Sequence, residues 1–355
     1  MGAMGLASDR LLDWKTARSV GARAAGAGPE LRAVDRARLN EDFAELVPFA
    51  SAEVQTFTGL VVDGYPARPW VMNRADWIAA NLRTFNGVLE PFAQRVLAKT
   101  GEGTFASVRR ATLGVQVGAL LGYLSRKVLG QFDVFLPPDD DGLIYFVGPN
   151  IAGVERRFGF GERDFRLWIS LHEVAHRVQF GAVPWLRGYV GGLASTYLGS
   201  MDLDPKRVVE RVRRAAEAVR AGRVEWRGFG WVFLLMTPDQ QDLFRRMQAV
   251  MSLLEGHGNH VMNGLGSRLI DDAPLFKVRL AERRRSAGGM ERTLQRSIGY
   301  DMKARQYDVG ERFVSQVVER SGMEGFNLVW RSPANLPTLE EIARPEAWVS
   351  RVGAS

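Results

Sequence analysis

The stretch "WISLHEVAHRVQFG", residues 168–181, places His172 and His176 four positions apart, with Glu173 beside the first. Phe165, Trp168, Leu171, Ala175 and Val178 recur at helical spacing around it. The window therefore reads as a helix beginning near Asp164, with Gly181 as its expected stop. Four residues advance a helix by about 400° and about 6 Å, so the two imidazoles share one face. Both can reach one metal ion with bonds of about 2.0–2.1 Å. Glu173 sits about 100° around from His172, at the edge of the same site. It is expected to act as the base for a water whose pKa zinc lowers to about 7. The plainer alternative is a pair of structural histidines, because H-E-x-x-H has only three fixed letters.

The chain has 4 histidines, and the other two lie together in "SLLEGHGNHVMN", as His257 and His260. Cysteine is absent, so a transition-metal site must be built from His, Asp and Glu. A catalytic zinc takes three protein ligands and keeps one position open. The third ligand is expected among Glu255, His257 and His260. The segment opens with Thr237 as N-cap, Pro238 at the first helical position and Gln240 as the reciprocal cap. Leu243, Met247, Val250 and Leu254 carry an apolar stripe toward Glu255. Gly258 and Asn259 share the Glu255 face, where Gly258 would permit close helix approach and Asn259 would support a ligand. His257 and His260 lie about 200° and about 140° away on an unbroken helix. Glu255 is favoured as ligand. Either histidine replaces it if Gly256 and Gly258 distort the helix. With Glu255 as the ligand, His260 is expected to polarise a carbonyl or steady an oxyanion, and His257 to be a surface or core residue.

Working outward, the first 130 residues read mainly as helix, broken at "AGAGPE" and "DGYPARP". "FDVFLP" and "GLIYFVG" are β-branched and aromatic, and "PDDDG" between them suggests a hairpin, or two strands joined by an acidic turn. Asp139, Asp140 and Asp141 lack the ligand spacing of a calcium loop and read as a solvated turn. The segments "VVERVRRAAEAVRAGR" and "YDVGERFVSQVVERSG" are again helical. The expected class is mainly α with a small β element (α+β). The expected organisation is one domain over 1–355, with possible sub-lobes at 1–130, 131–265 and 266–355.

Of the 355 residues, 47 are Lys or Arg and 40 are Asp or Glu, a modest excess of +7. The basic residues are dispersed, without the aromatic-interleaved cluster of a nucleic-acid surface, so no nucleic-acid partner is expected. "ATLGVQVGALLGYLS", Ala111–Ser125, is too short to span a bilayer. Its Gly114, Gly118 and Gly122 form one bare stripe, expected on a buried, closely packed central helix. No secretory signal is read at the N-terminus, and a cytoplasmic protein is expected.

"LHEVAHRVQF" followed by "LLEGHGNHVMN" resembles the zincin-like metallopeptidase type 2 family, a group of poorly defined activity, some of whose members carry a coenzyme F420 biosynthesis label. The resemblance extends through "LLDWKTA", "NRADWIAANLRTFNGVLEP", "LSRKVLGQFDVFLP" and "MKARQYDVGERFV". It implies a zincin core in a helical protein, with His172 and His176 as Zn2+ ligands and Glu173 as base. "EGHGNHVMN" also resembles the glutamate helix of gluzincins, in which an aspartate often follows four residues later; here Asn259 stands there. Arg305 and Tyr307 lie in another segment of that resemblance. Either could stabilise an oxyanion, although an ordinary amphipathic helix is the simpler reading. The expected function is zinc-dependent hydrolysis of peptide or protein amide bonds. A non-catalytic metal-binding scaffold and a basic nucleic-acid module are the alternatives.

Overall fold

The structure is a computed structural model of the chain. It describes residues 7–26, 28–29, 31–64, 66–100, 106–134, 142–200, 236–285 and 300–353, with single positions between 210 and 221. The elements in chain order are α1 (Trp14–Ala25), α2 (Ala33–Thr58), β1 (Arg68–Met72), α3 (Arg74–Thr100), α4 (Ala106–Ser125), β2 (Gly130–Phe132) and β3 (Leu143–Val147). There follow α5 (Gly148–Phe158), α6 (Glu162–Ala182), α7 (Pro184–Gly199), α8 (Pro238–Leu269), α9 (Ala273–Arg285), α10 (Tyr300–Phe326), α11 (Leu339–Ala343) and α12 (Pro345–Gly353). The protein is mainly helical with a small sheet. Two compact units are present: Met1–Pro184 with Val261–Arg279, and Trp185–His260 with Leu280–Ser355.

In the first unit the sheet order is β1-β3-β2. β2 pairs antiparallel with β3, Gln131 opposite Tyr145, as the hairpin reading requires. The Asp139–Asp141 run between them lies outside the described residues. β1 corrects the sequence reading: Arg68 belongs to "DGYPARP", yet it opens an edge strand parallel to β3. Pro69 is tolerated there because an edge strand leaves one side of its backbone unpaired. Phe43 of α2 stacks on Phe146 of β3 at 3.8 Å between centroids, closing one face of the sheet.

α4 lays its glycine stripe on α1. A β-carbon at Gly114 would come 2.6 Å from the Asp13 carbonyl oxygen, and one at Gly122 2.6 Å from that of Gly21. One at Gly118 would collide with the Ala17 carbonyl. The stripe is buried as expected, but α4 is not central: Val108, Val115 and Leu120 on its other side are exposed.

α6 is fixed at its N-terminal half by charge and by aromatic packing. Arg166 is buried and donates two hydrogen bonds to the Glu155 carboxylate of α5, at 2.8 and 2.9 Å. It also pairs with Asp42 of α2 and Glu162. Burial works against the Arg166 charge, but these carboxylates hold the guanidinium pKa above its ordinary value. Phe165 and Trp168 pack with Phe276 of α9, at 5.4 and 6.0 Å between centroids. The predicted stripe Phe165, Trp168, Leu171, Ala175, Val178 is buried, but so are Arg166, Ser170, Glu173, Arg177 and Gln179. The helix is therefore enclosed on more than one face. Gly181 does not stop it: the helix runs to Ala182 and ends before Pro184, which disfavours helical geometry in Val183. The glycine instead admits Val62, whose Cγ1 would lie 2.6 Å from an added β-carbon.

α8 starts with the expected reciprocal cap: Gln240 Oε1 accepts from Thr237 N–H at 2.9 Å, and Thr237 Oγ1 accepts from Gln240 N–H at 3.3 Å. In the second unit it crosses α10 where Gly256 meets Gly310, so closely that a β-carbon on either would collide with the other helix's backbone. Within the first unit the end of α8 lies along α6, an added β-carbon at Gly266 meeting Trp168 Cδ1 at 3.5 Å.

Candidate metal centre

α6 brings His172 and His176 together as its spacing dictates. Their Nε2 atoms are 3.2 Å apart, and the ring planes meet at 85°. Two donors at about 2.0–2.1 Å on a tetrahedral ion stand about 3.3–3.4 Å apart. The pair thus has the separation that one zinc ion imposes. His176 Nδ1 lies 3.0 Å from the Oε1 of Gln179, which is fully buried. With that carboxamide oxygen accepting, the Nδ1 atom carries the proton and Nε2 keeps its lone pair. Gln179 is one turn beyond His176 on the same helix, and the sequence reading passed over it.

Glu255 is buried near the middle of α8. His172, His176 and Glu255 together are a group of residues that could hold a metal ion. The donor types, two imidazoles and one carboxylate, suit zinc, which in catalytic sites takes three protein ligands and keeps one position open.

Glu173 is buried between α6 and the sheet. Its Oε2 accepts a hydrogen bond from the Phe132 backbone N–H of β2 at 3.0 Å. A β-carbon at Gly130 would stand 2.6 Å from Glu173 Cγ and 2.8 Å from Oε1. Sequence reading missed both strand residues, which lie some forty positions away.

The other two histidines separate. His257 is fully buried in the second unit, stacked on Phe326 at 5.3 Å and edge-on to Trp330 at 5.5 Å. That is the aromatic packing of a core residue. His260 is partly buried, and its Nδ1 lies 3.0 Å from Ser315 Oγ of α10. Burial lowers its pKa, and nearby Glu311 opposes the shift in part. Arg305 and Tyr307 fall among residues whose side chains lie outside the described ones.

A family model described as zincin-like metallopeptidase matches residues 12–349. The chain belongs to this family. A crystal structure from Chloroflexus aurantiacus, described as a "putative hydrolase with a novel fold", is similar to it at 32% identity and a TM-score of 0.71. That likeness covers 97% of this chain and 100% of the other. Comparison with curated proteins gives no match. Membership in a zincin-like family implies a metal, and the His172, His176 and Glu255 donors are a possible place for it. No described helix is long and apolar enough to cross a membrane.

Proposed function

We propose that this protein is a zinc-dependent hydrolase that cleaves amide bonds in peptides or proteins. The observation that carries the reading is the 3.2 Å approach of the His172 and His176 Nε2 atoms, with a Glu255 oxygen in the same group. His172, His176 and Glu255 would hold the ion; Gln179 orients His176. A zinc ion held there would supply Lewis acidity, able to lower the pKa of a bound water to about 7 and to polarise a carbonyl oxygen.

Glu173 takes the proton as a water O–H bond breaks and the water oxygen bonds to the carbonyl carbon. The same carboxyl then delivers that proton to the amide nitrogen as the C–N bond breaks, releasing an acid and an amine. His260 is assigned to the oxyanion. With Ser315 donating to Nδ1, the His260 proton resides on Nε2, the form able to donate to a developing negative oxygen. Burial lowers the pKa of this imidazole and so favours its neutral form.

Zinc analysis of purified protein, combined with casein hydrolysis, tests the reading. About one zinc per chain is expected, lost in His172→Ala and in His176→Ala. Glu173→Gln should retain zinc and release no peptide. Full zinc occupancy in the double histidine variant, or wild-type hydrolysis by Glu173→Gln, overturns it.

A further inference from the structure

Resting on that reading, we infer that strand β2 positions the base, with Gly130 as a positioning residue and the two oxygens of Glu173 given separate tasks. Oε2 is committed to the Phe132 N–H at 3.0 Å. Oε1 lies over the α-carbon of Gly130, in space that any β-carbon would invade. A carboxylate oxygen that already accepts a hydrogen bond is the less available proton acceptor, so the proton goes to Oε1. The amide bond to Oε2 is kept whether Oε1 is bare or protonated. The carboxyl therefore stays in place through both proton transfers.

The strand can do this because its outward edge faces α6. Gln131 pairs with Tyr145, and Leu129 O accepts from Val147 N–H at 2.8 Å, so the backbone groups of Gly130 and Phe132 point away from β3. Gly130 is not needed for a turn, since its φ is not positive. Its missing side chain is explained by the carboxylate lying against it.

Hydrogen exchange and a double-mutant cycle test this without reference to turnover. The Phe132 amide should exchange slowly in wild-type protein and in Glu173→Gln, whose side-chain oxygen still accepts. It should exchange at least tenfold faster in Glu173→Ala. Equal exchange in all three overturns the Oε2 assignment. Gly130→Ala should raise the unfolding equilibrium constant by roughly tenfold in the wild-type background. In Glu173→Ala, where the collision is gone, it should not. Additive effects overturn the contact, and the exchange arm stands if Gly130→Ala does not fold. On casein, zinc-loaded Gly130→Ala should lose about 10²-fold in kcat with KM and zinc content unchanged, the cost of a base displaced by about 1 Å. A wild-type kcat in Gly130→Ala overturns the positioning role. If the zinc-loaded wild type releases no peptide, the hydrolase reading falls, while exchange and coupling still decide whether β2 holds Glu173.

Discussion

Replacing Gln179 by leucine probes how far one buried carboxamide sets the metal affinity of the centre. Gln179 is fully buried, and its Oε1 lies 3.0 Å from His176 Nδ1. Leucine keeps comparable bulk but removes the acceptor. The Nδ1 proton then loses a hydrogen-bond partner, a cost of about 1–3 kcal/mol. The imidazole can avoid that cost by moving its proton to Nε2, where it blocks the metal. Either route should weaken zinc binding by about 10–100-fold, the usual effect of losing the residue that orients a ligand histidine. Gln179→Glu retains an acceptor and increases the basicity of the ring, so its affinity should stay near wild type or rise. Competition with a chromophoric chelator near neutral pH measures both, with circular dichroism confirming the fold. Wild-type affinity in Gln179→Leu, or equal losses in both variants, would refute the orienting role.

Glu255→Ala should release zinc to a chelator far more readily than His257→Ala, which should instead lower thermal stability by opening a cavity beside Phe326 and Trp330. Gly118→Ala should destabilise, although alanine is worth about 1 kcal/mol in an open helix, because its methyl meets α1 backbone. Gly87→Ala in α3, where nothing lies within 4 Å, should stabilise, and urea unfolding compares the two. Arg166→Met should cost about 3–5 kcal/mol by leaving Glu155 buried without its partner. His260 has a depressed folded pKa, so its contribution to stability is present above its unfolded value and lost as pH falls through the folded one. Thermal unfolding of His260→Gln should show a weaker acid-side decline than wild type.

Features encoded within one helix were legible in the residues. The four-residue spacing of His172 and His176, the reciprocal cap at Thr237 and Gln240, and the bare stripe of α4 each follow from helical periodicity. What periodicity cannot report is which element comes to meet a given face. The Phe132 amide reaches Glu173 only because β2 pairs with β3 and turns its outer edge toward α6. Gly130 carries no local mark of that contact. Gly181 shows the same difficulty from the other side, being read as a stop because glycine commonly ends helices when it makes room for Val62.

The glycines near Glu255 extend this point to the proposed third ligand. Sequence reasoning assigned close approach to Gly258, on the face shared with Glu255. A separate close approach lies at Gly256, where α8 crosses Gly310 of α10 with almost no space between the backbones. A glycine crossing of that kind fixes axial position as well as distance, because the Ser252 carbonyl sits against the Gly310 α-carbon. Glu255 precedes the crossing by one residue, and His257, packed on Phe326, follows it by one. The two neighbours of Gly256 thus differ: His257 packs in an aromatic core, and on the proposed reading that packing steadies the turn that carries Glu255. Enlarging Gly256 should consequently weaken metal binding without altering any ligand, through displacement of the helix that carries Glu255.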